Sequence, residues 1–204
     1  MVVPNDVASL IPALDMSDPV CILVKEIAGA LRQWNDDVDN VQIQRFDRLL
    51  EVNGEPCSST MLRHKMEDAG CDQLTFLVQR PEERLVVLPQ NDRLGLDISF
   101  RKGISVRPWV TGVRGGAVGQ WNLDKPQLNV DVHDRILSVN GVSGDPAFVT
   151  MHALCVVPGN RARVCQVLFL FFTLLVSVGE PGPIQHKLRM CMYGTRQVSN
   201  KAAP

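Results

Sequence analysis

Gly112-Val113-Arg114-Gly115-Gly116-Ala117-Val118-Gly119 is a glycine-rich run of the kind that cradles phosphates with backbone amides, provided a Lys-Ser or Lys-Thr pair closes it. No such pair follows, so P-loop nucleotide chemistry is excluded. Nucleophilic hydrolysis needs a serine on a Gly-x-Ser-x-Gly elbow or a Ser/His/Asp set in recognisable context, and zinc-assisted hydrolysis a His-Glu-x-x-His helix. The chain has neither. Its four histidines (His64, His133, His152, His186) form no cluster. Its six cysteines (Cys21, Cys57, Cys71, Cys155, Cys165, Cys191) include no Cys-x-x-Cys pair and no histidine at ligand spacing. They read as reduced thiols of cores and loops, with no metal site and no cofactor expected. The residue types point to binding rather than catalysis.

Composition narrows the partner. The net charge is −1 with 21% charged residues, which gives no basic field for nucleic acid, and 5% aromatic residues leave few platforms for stacking bases. Met1 to Leu14 is broken by Pro4, Asn5 and Asp6 and lacks a basic start, so no signal peptide is read and a reducing, cytoplasmic setting is expected.

The elements that must position a binding site come twice. Gly29-Ala30-Leu31-Arg32-Gln33-Trp34-Asn35 returns as Gly116-Ala117-Val118-Gly119-Gln120-Trp121-Asn122, an offset of 87 (residue 116 against residue 29). On the same diagonal Phe46-Asp47-Arg48-Leu49-Leu50-Glu51-Val52-Asn53-Gly54 falls on His133-Asp134-Arg135-Ile136-Leu137-Ser138-Val139-Asn140-Gly141. A period of that length fits a compact domain and is too long for a solenoid repeat.

The second copy reads most clearly. Arg84 to Pro89 is a β-branched-rich strand, and Leu94, Leu96, Ile98 and Phe100 alternate along another. Ile104-Ser105-Val106 and Trp109 to Val113 give further strand, Ala117 to Trp121 a short helical turn, and Arg135 to Val139 a strand closed by an Asn-Gly turn. Asp145-Pro146 starts a helix reaching about Cys155. In the first copy Ser58-Ser59 caps a helix, and Leu74 to Gln79 is a final strand. The first copy has no room for an opening strand, and Leu94 to Ile98 projects onto Val7 to Ile11, where the glycine is lost. Arg161 to Val167 lies in phase with the first copy's closing strand. Val164 to Val178 is uncharged and shorter than a usual membrane span, leaving three readings open: closing strand with an apolar hairpin, a short membrane anchor, or sequence foreign to the domain. Glu180 to Pro204 reads as a disordered tail.

Taken in order, these residues resemble a PDZ domain. Asp134 to Gly141 resembles the family's most recognisable block, repeated by Asp47 to Gly54. Arg93-Leu94-Gly95-Leu96 resembles its carboxylate-binding loop, and Gly115-Gly116-Ala117 the start of its first helix. The family usually carries glycine before the Asp-Arg pair, where this chain has Phe46 and His133. The resemblance implies a mainly β fold with two helices per unit, as two small, partly open β-barrels in tandem. The units are 1–80, incomplete at its start, and 82–168, followed by an apolar segment and tail over 169–204.

It also implies a non-catalytic function. A peptide C-terminus, or an internal extended peptide, adds as a strand beside Leu96, Asp97 and Ile98, its carboxylate held by the amides of Leu94, Gly95 and Leu96. Arg93 stands at the loop, and Leu94, Leu96 and Val149 form the pocket for the last side chain. Other readings are a membrane-tethered adaptor anchored through 164–178, a regulatory fragment of a larger enzyme, and a degenerate unit without a working groove.

Overall fold

Asn53-Gly54 and Asn140-Gly141 adopt one backbone, with φ of 51° and 79° in the first copy and 51° and 83° in the second. Two consecutive positive φ values make the tight hairpin turn whose twist matches its strands, which is why Asn-Gly stands there. The computed structural model describes residues 1–39, 41–89, 93–155 and 185–192. Its first copy runs β1 (Val2–Pro4), α1 (Val7–Ala13), β2 (Leu14–Asp15), β3 (Ile22–Val24), α2 (Gly29–Asp37), β4 (Arg48–Val52), β5 (Glu55–Pro56), α3 (Ser59–Glu67) and β6 (Gln73–Gln79). The second runs β7 (Glu82–Pro89), β8 (Leu96–Ser99), β9 (Trp109–Val113), α4 (Gly116–Asp124), β10 (Arg135–Val139), β11 (Val142–Ser143), α5 (Pro146–Cys155) and β12 (Gln185–Met192). Helix and strand are comparably represented, so the fold is mixed α/β rather than mainly β. The unexpected α1 and the longer α4 make the difference.

Each copy forms a six-stranded sheet of one topology. The first is ordered β1-β6-β4-β3-β2 with β5 on β4, and the second β7-β12-β10-β9-β8 with β11 on β10. Both place a bulge at one position of the central strand, at Leu50 and at Leu137. Separate cores lie under the sheets, one around Leu10, Ile22, Leu62 and Phe76, the other around Val86, Val118, Ile136 and Val149.

The repeated motifs hold these sheets together. Asn35 clamps Ile43, accepting from its amide at 2.7 Å and donating to its carbonyl at 2.9 Å, and Asn122 clamps Val130 with two bonds of 2.9 Å. Each asparagine thereby satisfies both backbone groups of one loop residue. Asp47 and Asp134, both buried, accept from the amide three residues back (Gln44 and Asp131), each at 2.8 Å. The Asp-Arg pair is therefore a structural device.

Several expectations are corrected. The first copy does have an opening strand, because Val3 pairs with Leu74 as Leu88 pairs with His186, two residues out of the phase that misplaced it. Val7 to Ile11 is helix rather than loop and strand, since Asp6 caps it by accepting from the Ser9 amide at 3.4 Å. Ile104-Ser105-Val106 is turn rather than strand, because Arg101 closes on it through the Ser105 amide and hydroxyl. The closing strand of the second sheet is Gln185–Met192, so that unit extends past residue 168 and this part of the expected tail is ordered. Met190 stands where Val78 does, an offset of 112, because the connector after α5 is 156–184 where the first copy has only 68–72. Arg161 to Val167 and 164–178 lie outside the described residues. No helix among the described residues is long and apolar enough to cross a membrane.

Two stability predictions come from this scaffold. Asn122→Ala leaves a buried loop amide without its acceptor and is expected to cost about 1–3 kcal/mol in urea unfolding. Burial pushes the Cys57 thiol up to about 11 from the usual 9.0, with Arg48 opposing. A folded-state pKa above the unfolded one supports the fold below pH 9.0 and loses that support as pH rises toward 11. Cys57→Ala is expected to flatten the stability decline across that interval, measured against the parent chain.

Candidate functional site

The three described residues of the loop before β8 commit their carbonyls to one side. Arg93 O accepts from the Ala117 amide at 2.8 Å, Leu94 O from Val118 at 3.1 Å, and Gly95 O from Arg114 at 2.8 Å. The first two satisfy N-terminal amides of α4, which Gly115 leaves without a side-chain cap. Because each peptide unit is planar and trans, the next amide points the opposite way. The amides of Leu94, Gly95 and Leu96 therefore face away from α4, three in succession. A series of successive outward amides can form an anion-binding concavity.

Glycine makes the approach possible. A Cβ on Gly95 would lie 1.7 Å from the Gly115 carbonyl oxygen, and one on Gly116 2.3 Å from Arg93 O. Gly95 also sits at φ +76°, where L side chains are disfavoured. The Gly115-Gly116 doublet, met in the sequence as a failed phosphate loop, is thus the floor on which the Arg93-Leu94-Gly95 loop rests.

The strand continues the pattern. Leu96 faces Val113, and the bond from Arg114 N to Gly95 O identifies them as a non-hydrogen-bonded pair. Leu96 N–H and C=O consequently point away from β9. β8 ends the sheet, so they point to its open edge. The register shift between Asp97 and Ile98 skips Thr111 on β9, leaving β8 regular, and Ile98 repeats the outward backbone of Leu96.

Side chains of the expected site are only partly brought together. Leu94, Leu96 and Val149 meet in one buried cluster, with Ile98 packed against it. Val149 is fully buried and belongs to the core of α5, behind any open pocket. Asp97 is ion-paired to Arg114 and Arg93 is exposed, contributing its carbonyl. Asp145 caps α5 as expected, accepting from the Ala147 amide at 2.7 Å.

The first copy has no equivalent. Its edge strand follows α1, and the residues in place of Leu94, Gly95 and Leu96 are Pro12, Ala13 and Leu14. Pro12 has no N–H, Ala13 lies in the last turn of the helix, and the Leu14 amide donates to Ile11 O. The Ser9 hydroxyl accepts from Ala30 at 3.3 Å, taking over the loop's role at the start of α2. Its proline was visible in the sequence, but the helix that carries it was not.

Gly95→Ala is expected to cost about 1–3 kcal/mol beyond Gly103→Ala, measured by urea unfolding. Gly103 has the same φ, +75°, but open space around it, so the difference isolates the contact with Gly115. No protein-family model matches the chain, and no curated protein matches it either.

Proposed function

We propose that the second copy is a PDZ-type peptide-binding module, which captures the C-terminal carboxylate of an extended peptide by strand addition to β8. The observation that carries this is the one-sided commitment of the Arg93, Leu94 and Gly95 carbonyls, which turns three consecutive amides outward beside an open sheet edge. Carboxylate charge suits such amides, and hydrogen bonds to an ionised acceptor are roughly twice as strong as neutral ones. Backbone groups of Leu96 and Ile98 supply main-chain pairing that tolerates sequence, while the apolar faces of Leu94, Leu96 and Ile98 favour an apolar last residue. The module is non-catalytic and uses no cofactor. The first copy, with Pro12 and α1 in place of the loop, takes no peptide at its own edge.

Titrating the full chain with a set of short peptides ending in apolar residues, each as free acid and as C-terminal amide, tests this. Binding of the free acid on the order of micromolar, weakened about tenfold or more by amidation, is expected. Equal binding of acid and amide would overturn carboxylate capture.

A further inference from the structure

The two copies meet through a turn that the peptide-capture reading does not use. Asp15 is buried, with one carboxylate oxygen accepting from its own Ser17 amide at 2.9 Å and the other crossing to the Val106 amide at 2.8 Å. Asp18 is built alike. One of its oxygens accepts from Val20 N at 3.2 Å, and the other lies 2.7 Å from His133 Nδ1 in the second copy. Arg135 is fully buried, donates to Cys21 O at 3.2 Å and stands over the Trp109 ring at 5.0 Å. Cys21, Leu23 and Leu137 close the contact, with Phe46 packed against them.

The equivalent residues Phe46 and His133 both face the other copy. His133 of the second copy meets Asp18 of the first, and its counterpart Phe46 meets Arg107 of the second, 5.9 Å from ring centre to guanidinium. Phe46 and His133 occupy φ of 72° and 76°, where a side chain is disfavoured, and both use that side chain across the junction.

The same residues hold the walls of the groove. The loop between β8 and β9 carries Val106, tied to Asp15, and Arg107, whose Nη1 donates to Gly144 O at 3.0 Å, just before the Asp145 cap of α5. One wall is β8 and the other is α5, so a loop docked on the first copy ties both. Resting on the peptide-capture reading above, we infer that the first copy is a positioning element: its Asp15–Cys21 turn orders the β8–β9 loop and thereby sets the spacing of β8 from α5, and with it peptide affinity. Asp15, Phe46 and Arg107 act as positioning residues. The carboxylate loop rests separately on α4.

The test uses the full chain carrying Phe46→Gly and His133→Gly. Glycine suits both backbones, so each sheet is expected to remain intact while the junction loses its side chains. Amide exchange at Val106 is expected to accelerate, with Ile136 and Leu188 in the sheet centre keeping their protection. Affinity for the free-acid peptide is expected to fall about tenfold, while the ratio of acid to amide affinity stays unchanged. A simple loss of fold would move the central amides as well, and Asp15→Asn then provides a second, shape-conserving disruption with the same readouts. Unchanged affinity with accelerated Val106 exchange, or unchanged Val106 exchange, would overturn the inference. If the parent chain binds acid and amide alike, it is carboxylate capture that fails, and the exchange at Val106 still decides whether docking orders the loop.

Discussion

A peptide unit that gives its carbonyl to one side must give its amide to the other. Between Arg93 and Leu96 this constraint organises the second copy. The start of α4 needs acceptors, since Gly115 offers no side chain, and the loop carbonyls provide them. What remains is a row of outward amides ending on the first residue of an edge strand. The arrangement needs backbone against backbone, which is why Gly95 meets Gly115 and Gly116 in space although they lie some twenty residues apart in the chain. Two of these three peptide units cap the helix, the third bonds the Arg114 amide, and all three turn their own amides the other way.

The first copy shows what happens when the same scaffold is freed from that arrangement. Its asparagine clamp, buried aspartate turn, Asn-Gly hairpin and central bulge match those of the second copy. Its edge does not. Ser9 caps α2 with a hydroxyl, so no backbone carbonyl is required there, and the segment folds as α1. The sheet edge shrinks to Leu14 and Asp15, and Asp15 turns to the other copy. Common structural motifs with divergent edges are what the alignment of Asp47 to Gly54 with Asp134 to Gly141 records.

Legibility in the sequence followed how local the cause was. The Asn-Gly turns, the Asp145 cap and the strands beside them depend on neighbours within a few residues, and these were readable. β12 was not, because its partners are about 50 and 100 residues away and the fixed offset of 87 breaks in the connector 156–184. Gln185 to Met192 also alternates weakly, with Lys187 before the buried Leu188 and Arg189 between Leu188 and the buried Met190. β1 was hidden by a shift of two residues, and α1 by an Asp6 cap followed by a late proline. The outward amides beside Gly95 follow from resemblance and were then derivable from carbonyl partners. The junction turn left no sequence signal except the missing glycines before the two Asp-Arg pairs.

Those missing glycines bear on how the two copies work together. A non-glycine residue in the left-handed region costs on the order of 1 kcal/mol, and the chain accepts it at both equivalent positions. The offset lies in contacts that neither copy makes alone. Asp15 and Asp18 are almost wholly buried by the junction, and Arg135 has no exposed surface. Separating the copies would leave carboxylates and a guanidinium with their cross-copy partners removed, and breaking such buried sets by removing one side is far more costly than the pairs are worth intact. Val106 and Arg107 sit in the loop that the junction holds, and Arg107 reaches Gly144, beside the Asp145 cap of α5. The copy whose edge folds as α1 is therefore mechanically joined to the copy with the open edge strand β8, at the loop between β8 and β9.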